Sequence, residues 1–128
     1  MKNRNLKASF ITALQGIGYA IVKERNMKIH LVAVAIVLIL SAWLEVSRQE
    51  LSILCLAIAV VICFELINTA MEVMVDIIVD VYHPKAKIIK DVSAGAVLVS
   101  ALISVAVGVL ILGDKLVTKL VDICNILK

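Results

Sequence analysis

The sequence predicts an all-α integral membrane protein, with an N-terminal amphipathic surface helix and three transmembrane helices in a single domain. Hydrophobic residues make up 62% of the 128 residues, and the mean hydropathy is +1.08. Soluble domains are closer to about half apolar, so this composition favours a membrane protein. A transmembrane helix needs about 20 apolar residues, and the chain therefore has room for about three such helices.

The N-terminal segment, residues 5–23, carries apolar side chains at intervals of three or four residues, which form one stripe on an α-helix. Basic residues flank the segment on both sides. A helix with one apolar face and a basic fringe can lie in the membrane interface, and we expect this location. Packing of the stripe against other protein is the alternative. The stripe consists of Leu6, Phe10, Leu14, Ile17 and Ile21.

Two transmembrane helices are predicted next, over residues 29–46 and 51–79. Trp43 near the end of the first suits the aromatic belt of a membrane interface, and we interpret His30 at its start as an interfacial hydrogen-bonding group. The second helix would be about 44 Å long at 1.5 Å per residue, against a hydrocarbon core of about 30 Å. Its C-terminal third, beyond about Ala70, should therefore emerge into water.

The chain after the second helix is predicted to turn and cross the membrane once more. Pro84 should end the second helix, because proline lacks the amide hydrogen that a helix interior needs. We expect a basic loop up to Asp91, with Asp91 as the N-cap of a third span over residues 92–112. Gly113 should close this span, and residues 113–128 would form a short amphipathic tail.

Basic residues predict that the N-terminus and the second loop lie on the cytoplasmic side of the membrane. This orientation places nine of the 13 Lys and Arg residues on that side and four on the other. The unusual polar residues then converge at one surface, where nucleotide and Mg²⁺ are available. The nine residues are Lys2, Arg4, Lys7, Lys23, Arg25, Lys28, Lys85, Lys87 and Lys90.

Four polar residues share a narrow stripe on the second transmembrane helix. At 100° per residue, Glu65, Asn68, Glu72 and Asp76 fall within about 80° of one another. An ionisable residue at membrane depth costs about 3 kcal/mol or more and is a functional-site hypothesis by default. Glu65 is the deepest of these acids, whereas Glu72 and Asp76 should lie at or above the interface.

These residue types suit phosphoryl transfer to a lipid. A carboxylate in a region of low dielectric can act as a general base, so Glu65 suits the removal of a proton from a lipid hydroxyl. Glu72, together with Glu24 from the N-terminal joint, could bind Mg²⁺, which prefers oxygen ligands. Lys90 could neutralise a phosphate during transfer. The sequence has neither a P-loop nor a kinase glycine-rich loop, so such a site would be built another way.

Two other functions remain open on the residues alone. Intramembrane carboxylates also serve proton or cation translocation. They can also hold an oligomer together, with Asn68 hydrogen-bonding across helices. Nucleic-acid binding has little support, because the basic residues are not clustered with aromatic ones. The three cysteines, Cys55, Cys63 and Cys124, lack the spacing of metal ligands.

Several short motifs, in one order along the chain, resemble the prokaryotic diacylglycerol kinase family and within it the undecaprenol kinase branch. The resemblance covers about residues 4–112. Its motifs are Glu24-Arg25-Asn26 with Lys28-Ile29-His30-Leu31, Glu65-Leu-Ile-Asn-Thr-Ala-Met-Glu72 with Asp76, Tyr82-His83-Pro84, and Lys90-Asp91 with Ala94-Gly95-Ala96-Val97.

The resemblance implies a homotrimeric kinase of the bacterial cytoplasmic membrane, with active sites between subunits near the cytoplasmic face. It implies transfer of phosphate from Mg-ATP to a lipid alcohol, undecaprenol by the branch-like motifs, with diacylglycerol as the alternative. By motif position, Glu65 is similar to the catalytic base, and Glu24 and Glu72 are similar to metal-binding acids. Arg4, Ser9 and Asp76 are weaker matches for substrate contact. The residues that are similar to nucleotide-binding positions of the family are Glu24, Asn68, Glu72, Tyr82, His83, Lys90 and Asp91.

Overall fold

The computed structural model describes residues 5–79 and 81–126, and this part of the chain is helical throughout except for short connections. The described residues contain no strand, which confirms the predicted all-α class. Three of the helices, all but the first, are long and apolar enough to cross a membrane. The helices are α1 (Leu6–Lys23), α2 (Arg25–Trp43), α3 (Arg48–Ile78) and α4 (Pro84–Ile126).

A single residue, Glu24, separates α1 from α2. Its extended backbone, with φ −90° and ψ 125°, ends one helix and begins the next. Helix α1 starts at Asn5, whose side-chain oxygen accepts a hydrogen bond from the Ala8 amide at 2.9 Å. Helix α2 therefore begins ahead of the predicted span over residues 29–46, and it also ends earlier, at Trp43.

A capping box sets the start of α3 at Arg48 rather than at the predicted Leu51. The Glu50 amide donates to Ser47 Oγ at 3.3 Å, and the Ser47 amide donates back to Glu50 Oε2 at 2.7 Å. The preceding turn is tight, because Glu45 adopts the left-handed region with φ 53°. Helix α3 is about 46 Å long, which exceeds a hydrocarbon core of about 30 Å.

Helix α4 corrects both predicted bounds of the third span. The prediction of a loop up to Asp91 was wrong, because the helix starts at Pro84. Proline is well suited to the first position of a helix, where no amide hydrogen is needed. The expected close at Gly113 was also wrong, since α4 continues to Ile126. A glycine inside a helix costs only about 1 kcal/mol relative to alanine, which neighbouring interactions can offset.

Those interactions lie where α4 passes the turn between α2 and α3. Lys115 Nζ lies 3.2 Å from Glu50 Oε2, and Lys119 Nζ lies 3.6 Å from Glu45 Oε1. The apolar core occupies the same end of the bundle, where Leu44, Leu54 and Leu112 are buried together. The opposite end, with the α1–α2 joint and the α3–α4 connection, holds the polar residues.

Many large apolar side chains face outward along the helices. Leu56, Leu102 and Leu110 are 67%, 62% and 77% exposed, respectively. Such a surface would be unfavourable in water, whereas it matches hydrocarbon tails. Together with the three long apolar helices, it identifies a membrane protein.

Candidate active site

The polar stripe predicted on the second transmembrane helix faces the interior of the bundle at three of its four positions. Glu65 is completely buried, Asn68 is 4% exposed, and Glu72 is half-buried. One helical turn separates Asn68 from Glu72, and Asn68 Nδ2 donates to Glu72 Oε1 at 3.0 Å. The structure therefore places Glu65, Asn68 and Glu72, three members of the predicted stripe, together on the inner face of α3.

These three residues line a polar cavity of about 240 Å³ between α2, α3 and α4. Helix α2 contributes Asn26, Ile29 and His30 to its wall. The cavity is large enough to admit a hydroxyl or phosphate group. Its remaining walls, from α4, are Ala94, Val97, Leu98 and Ala101.

Both carboxylate oxygens of Glu65 are buried without a hydrogen-bond partner in the described part of the chain. Among the described residues, one other buried side-chain group lacks a hydrogen-bond partner: the Ser41 hydroxyl, near the other end of the bundle. Burying a carboxyl without a partner opposes folding by several kcal/mol if the group is charged. Such an arrangement is typical of a group that takes part in chemistry rather than in structure.

Two further acids surround Glu65 electrostatically. Glu24 and Glu72 both lie near its carboxyl group, as does His30. Glu24 is half-buried, and its side chain makes no capping hydrogen bond although it stands at the start of α2. The joint between α1 and α2 therefore places a third carboxylate near Glu65.

The described residues include no group of three His, Cys, Asp or Glu side chains placed to hold a metal ion by themselves. Mg²⁺ keeps several waters and is usually bound by one or two carboxylates together with substrate phosphates. The half-buried carboxylates of Glu24 and Glu72 match that donor chemistry.

Lys90 of α4 forms an ion pair with Asp76 of α3, one helical turn beyond Glu72. The Asp76 side chain remains 57% exposed. Lys23 lies near enough to attract the same carboxylate. Contact with Tyr19, whose ring centroid lies 5.5 Å from Lys23 Nζ, raises the pKa of Lys23 and keeps it cationic. Two cations thus flank the open side of the acidic site.

Seven of the predicted site residues in the described part of the chain do not line the polar cavity. Three of them are Glu24, Asp76 and Lys90, and the other four are exposed. Tyr82, which is 80% exposed, and Asp91 point away from the bundle interior. His83 is exposed, and its Nδ1 accepts a hydrogen bond from the Lys85 amide at 3.2 Å. Ser9 is exposed on α1, far along the helix from Glu24. The predicted contact Arg4 lies outside the described residues.

The structure adds three residues to the site, two that line the cavity and one that donates a hydrogen bond to Asn68. Asn26 and His30 line the cavity, and their position in the polar joint beside Glu24 was a signal that could have identified them. Ser93 of α4 donates to Asn68 Oδ1 at 2.7 Å. The sequence indicated Ser93 more weakly, because Ser93 shares a helix face with Lys90 only if α4 begins well before residue 92.

An apolar cleft of about 280 Å³ adjoins the polar cavity and shares His30 and Ala101 with it. The cleft extends from His30 towards the middle of the membrane-spanning helices. Small side chains make much of its wall, including Ala33, Ala57 and Gly108. The polar cavity thus adjoins a surface suited to a hydrocarbon chain.

A buried, unpartnered carboxyl beside further acids and lysines, at the end of a membrane helix bundle, is the kind of site that a small membrane enzyme uses. The family described as prokaryotic diacylglycerol kinase matches residues 11–112 of the chain. This match covers most of the sequence, so the chain belongs to the prokaryotic diacylglycerol kinase family. Membership makes it a lipid kinase, which confirms the predicted class of enzyme over the translocator and scaffold alternatives.

Individual members of the family are similar over most of the chain. An undecaprenol kinase of Bacillus subtilis is 45% identical over 114 residues, which is 89% of this chain and 92% of the relative. A diacylglycerol kinase of Synechocystis is 38% identical over 91% of this chain and 67% of the relative. A diacylglycerol kinase of Escherichia coli K12 is 29% identical over 71% of this chain and 75% of the relative.

Proposed function

We propose that the chain transfers the γ-phosphoryl group of ATP to the hydroxyl of undecaprenol. The observation that carries this proposal is the buried, unpartnered Glu65 carboxyl at the junction of a polar cavity with an apolar cleft. The 45% identity to a relative named undecaprenol kinase supports the choice of acceptor. Relatives named diacylglycerol kinase make diacylglycerol the alternative acceptor.

Glu65 acts as the general base. Its carboxylate removes the proton of the lipid hydroxyl, whose oxygen attacks the γ-phosphorus while the bond from that phosphorus to the β–γ bridging oxygen breaks. ADP leaves with the electron pair of the broken bond, and Glu65 returns its proton to water. Burial favours this role, because a carboxylate without a hydrogen-bond partner keeps its lone pairs for the substrate.

Glu24 and Glu72 would hold Mg²⁺, and the bound ion would neutralise the charge of the nucleotide phosphates. The hydrogen bond from Asn68 orients the Glu72 carboxylate. Lys90 binds phosphate from the open side, next to Asp76. Asp91, Tyr82 and His83 contribute to nucleotide binding from the exposed rim, and Arg4, Ser9 and Asp76 contribute to substrate contact.

The acceptor places its hydroxyl in the polar cavity and its chain in the apolar cleft. His30 belongs to both walls and marks the level at which the polar head gives way to the chain. Small side chains such as Ala57 and Gly108 leave room for the methyl branches of an isoprenoid. The shared wall therefore fixes the distance between the reacting hydroxyl and the first part of the lipid chain.

The enzyme sits in the bacterial cytoplasmic membrane with this site at the cytoplasmic face. The excess of basic residues around the site, nine against four, supports the orientation. Helix α1 lies in the interface, which suits its exposed apolar residues such as Phe10 and Leu14. Three copies form the active enzyme, with nucleotide bound between subunits, which would cover the exposed rim residues.

Competition between acceptors tests the proposal. Purified protein in detergent micelles receives labelled ATP, Mg²⁺ and equal mole fractions of undecaprenol and diacylglycerol. We expect label mainly in undecaprenyl phosphate, with ADP formed in equal amount. Label mainly in phosphatidic acid would replace undecaprenol by diacylglycerol as the substrate. ADP formation without a labelled lipid would overturn lipid phosphorylation altogether.

A further inference from the structure

Ser93 of α4 stands behind the acidic site and reaches it through Asn68. Its hydroxyl donates to Asn68 Oδ1 at 2.7 Å, and Asn68 Nδ2 donates to Glu72 Oε1 at 3.0 Å. Ser93 does not line the polar cavity, so it does not touch a molecule bound there. The three side chains form a continuous chain of hydrogen bonds from α4 across to Glu72.

The chemistry of the three side chains determines which group donates and which accepts in each of these hydrogen bonds. An ionised carboxylate only accepts hydrogen bonds, so Asn68 must present its Nδ2 to Glu72. The carboxamide Oδ1 then faces α4 and requires a donor, because Asn68 is 4% exposed. The Ser93 hydroxyl is that donor. If the carboxamide turned over, its oxygen would face the Glu72 carboxylate, and the two acceptors would repel each other.

The Ser93 hydroxyl also lies 3.0 Å from the Lys90 carbonyl oxygen, which is its alternative acceptor within α4. A single hydroxyl hydrogen serves both acceptors, and the shorter distance belongs to Asn68. Lys90 itself pairs with Asp76, so Ser93 lies one turn from a second polar link between α3 and α4. Both links join these helices at the level of the acidic site.

We propose that Ser93 is a positioning residue, which locks the Asn68 carboxamide and thereby holds the Glu72 carboxylate in the orientation that binds Mg-nucleotide. The inference rests on the proposed function, because that function assigns Glu72 to the metal. The inference goes beyond the proposed function, because it places a determinant of metal affinity on α4, outside the cavity wall. Removal of the hydroxyl leaves Asn68 free to turn, and Glu72 loses its fixed donor.

The test measures the Mg²⁺ requirement of Ser93→Ala, of Ser93→Thr and of a matched control. Loss of one hydrogen bond that orients Asn68 should raise the Mg²⁺ concentration for half-maximal activity by about fivefold in Ser93→Ala. Ser93→Thr keeps a hydroxyl and should restore the normal requirement. In an Asn68→Ala background, Ser93→Ala should add no further shift, because the two residues act through one path.

Ser104→Ala is the control, because the Ser104 hydroxyl also crosses from α4 to α3, where it donates to the Ala57 carbonyl at 3.1 Å. It should leave the Mg²⁺ requirement unchanged. A shift in Ser93→Ala that Ser104→Ala shares, or that Ser93→Thr does not reverse, would overturn the positioning role. So would a loss of activity in Ser93→Ala at an unchanged Mg²⁺ requirement.

The same comparison can be made without a lipid acceptor, through Mg²⁺-dependent binding of a non-hydrolysable ATP analogue to the protein in micelles. This second measurement separates the two proposals. Failure of the wild-type protein to phosphorylate undecaprenol overturns the proposed function, whereas equal Mg²⁺ dependence of analogue binding in wild type and Ser93→Ala overturns the inference about Ser93. Thermal unfolding of each variant shows whether it has folded.

Discussion

Lys90 and Asp76 form an ion pair that joins α4 to α3 beside the acidic site. The pair lies at the end of the bundle that holds the α3–α4 connection, and both side chains are partly exposed. An exposed pair of this kind adds little to the stability of a protein. Its importance therefore lies in where it holds the Lys90 ammonium rather than in what it adds to the free energy of folding.

Replacement of Lys90 by Met should raise the KM for Mg-ATP by about tenfold, because a charge-assisted hydrogen bond to phosphate is lost. Asp76→Asn should raise it less, by about threefold, since Lys90 keeps its charge but loses the partner that limits its rotamers. The matched control is Lys87→Met, an exposed lysine on the same helix without an ion pair in the described part of the chain. Steady-state kinetics measure all three, and an equal effect of Lys87→Met would contradict a specific role of Lys90.

Glu72→Gln should raise the Mg²⁺ concentration for half-maximal activity by at least about tenfold, because a neutral amide is a weaker ligand for a divalent cation than a carboxylate. Asp114→Asn removes the same charge at an exposed position of α4 outside the site and serves as the control. Activity is measured over a range of Mg²⁺ concentrations at constant ATP. If Glu72→Gln requires the same Mg²⁺ concentration as the wild type, Glu72 is not part of the metal site.

Gly113→Ala should stabilise the protein by about 0.5–1 kcal/mol, since α4 runs through this position and alanine is the better helix former. A Cβ at residue 113 meets no atom within 4 Å. Thermal unfolding in micelles tests this expectation. Gly113→Pro should destabilise the protein in the same assay, because proline breaks a helix interior. Destabilisation by Gly113→Ala would mean that the helix ends at this glycine.

The sequence predicts the helical class, the three long apolar helices and the gathering of Glu65, Asn68 and Glu72 on one face. Composition and the helical period are enough for these predictions, because both are local properties of the chain. The bounds of α4 were harder to predict. Proline at residue 84 can end one helix or begin the next, and periodicity does not distinguish the two.

The contacts between helices could not be predicted in this way. The bond from Ser93 to Asn68 and the ion pair of Lys90 with Asp76 depend on how far α4 is shifted along α3. A hydrophobic pattern shows which face of a helix is buried but not this register. The placement of His30 between the polar cavity and the apolar cleft likewise depends on the packing of α2 against two other helices.

Glu65→Gln separates the contribution of Glu65 to catalysis from its contribution to stability. The carboxyl is buried without a partner, so a neutral amide of the same shape should leave the melting temperature equal or higher. The control variant is Glu45→Gln, at the other end of the bundle, where Glu45 pairs with Lys119. It should retain the wild-type rate of phosphate transfer.

The most direct measurement is the rate at which Glu65→Gln transfers labelled phosphate from ATP to undecaprenol in micelles. With Glu65 as the general base, kcat should fall by at least about 100-fold, while the melting temperature stays equal to that of the wild type or above it. A variant that is folded and retains the wild-type kcat would contradict the assignment of Glu65 as the catalytic base.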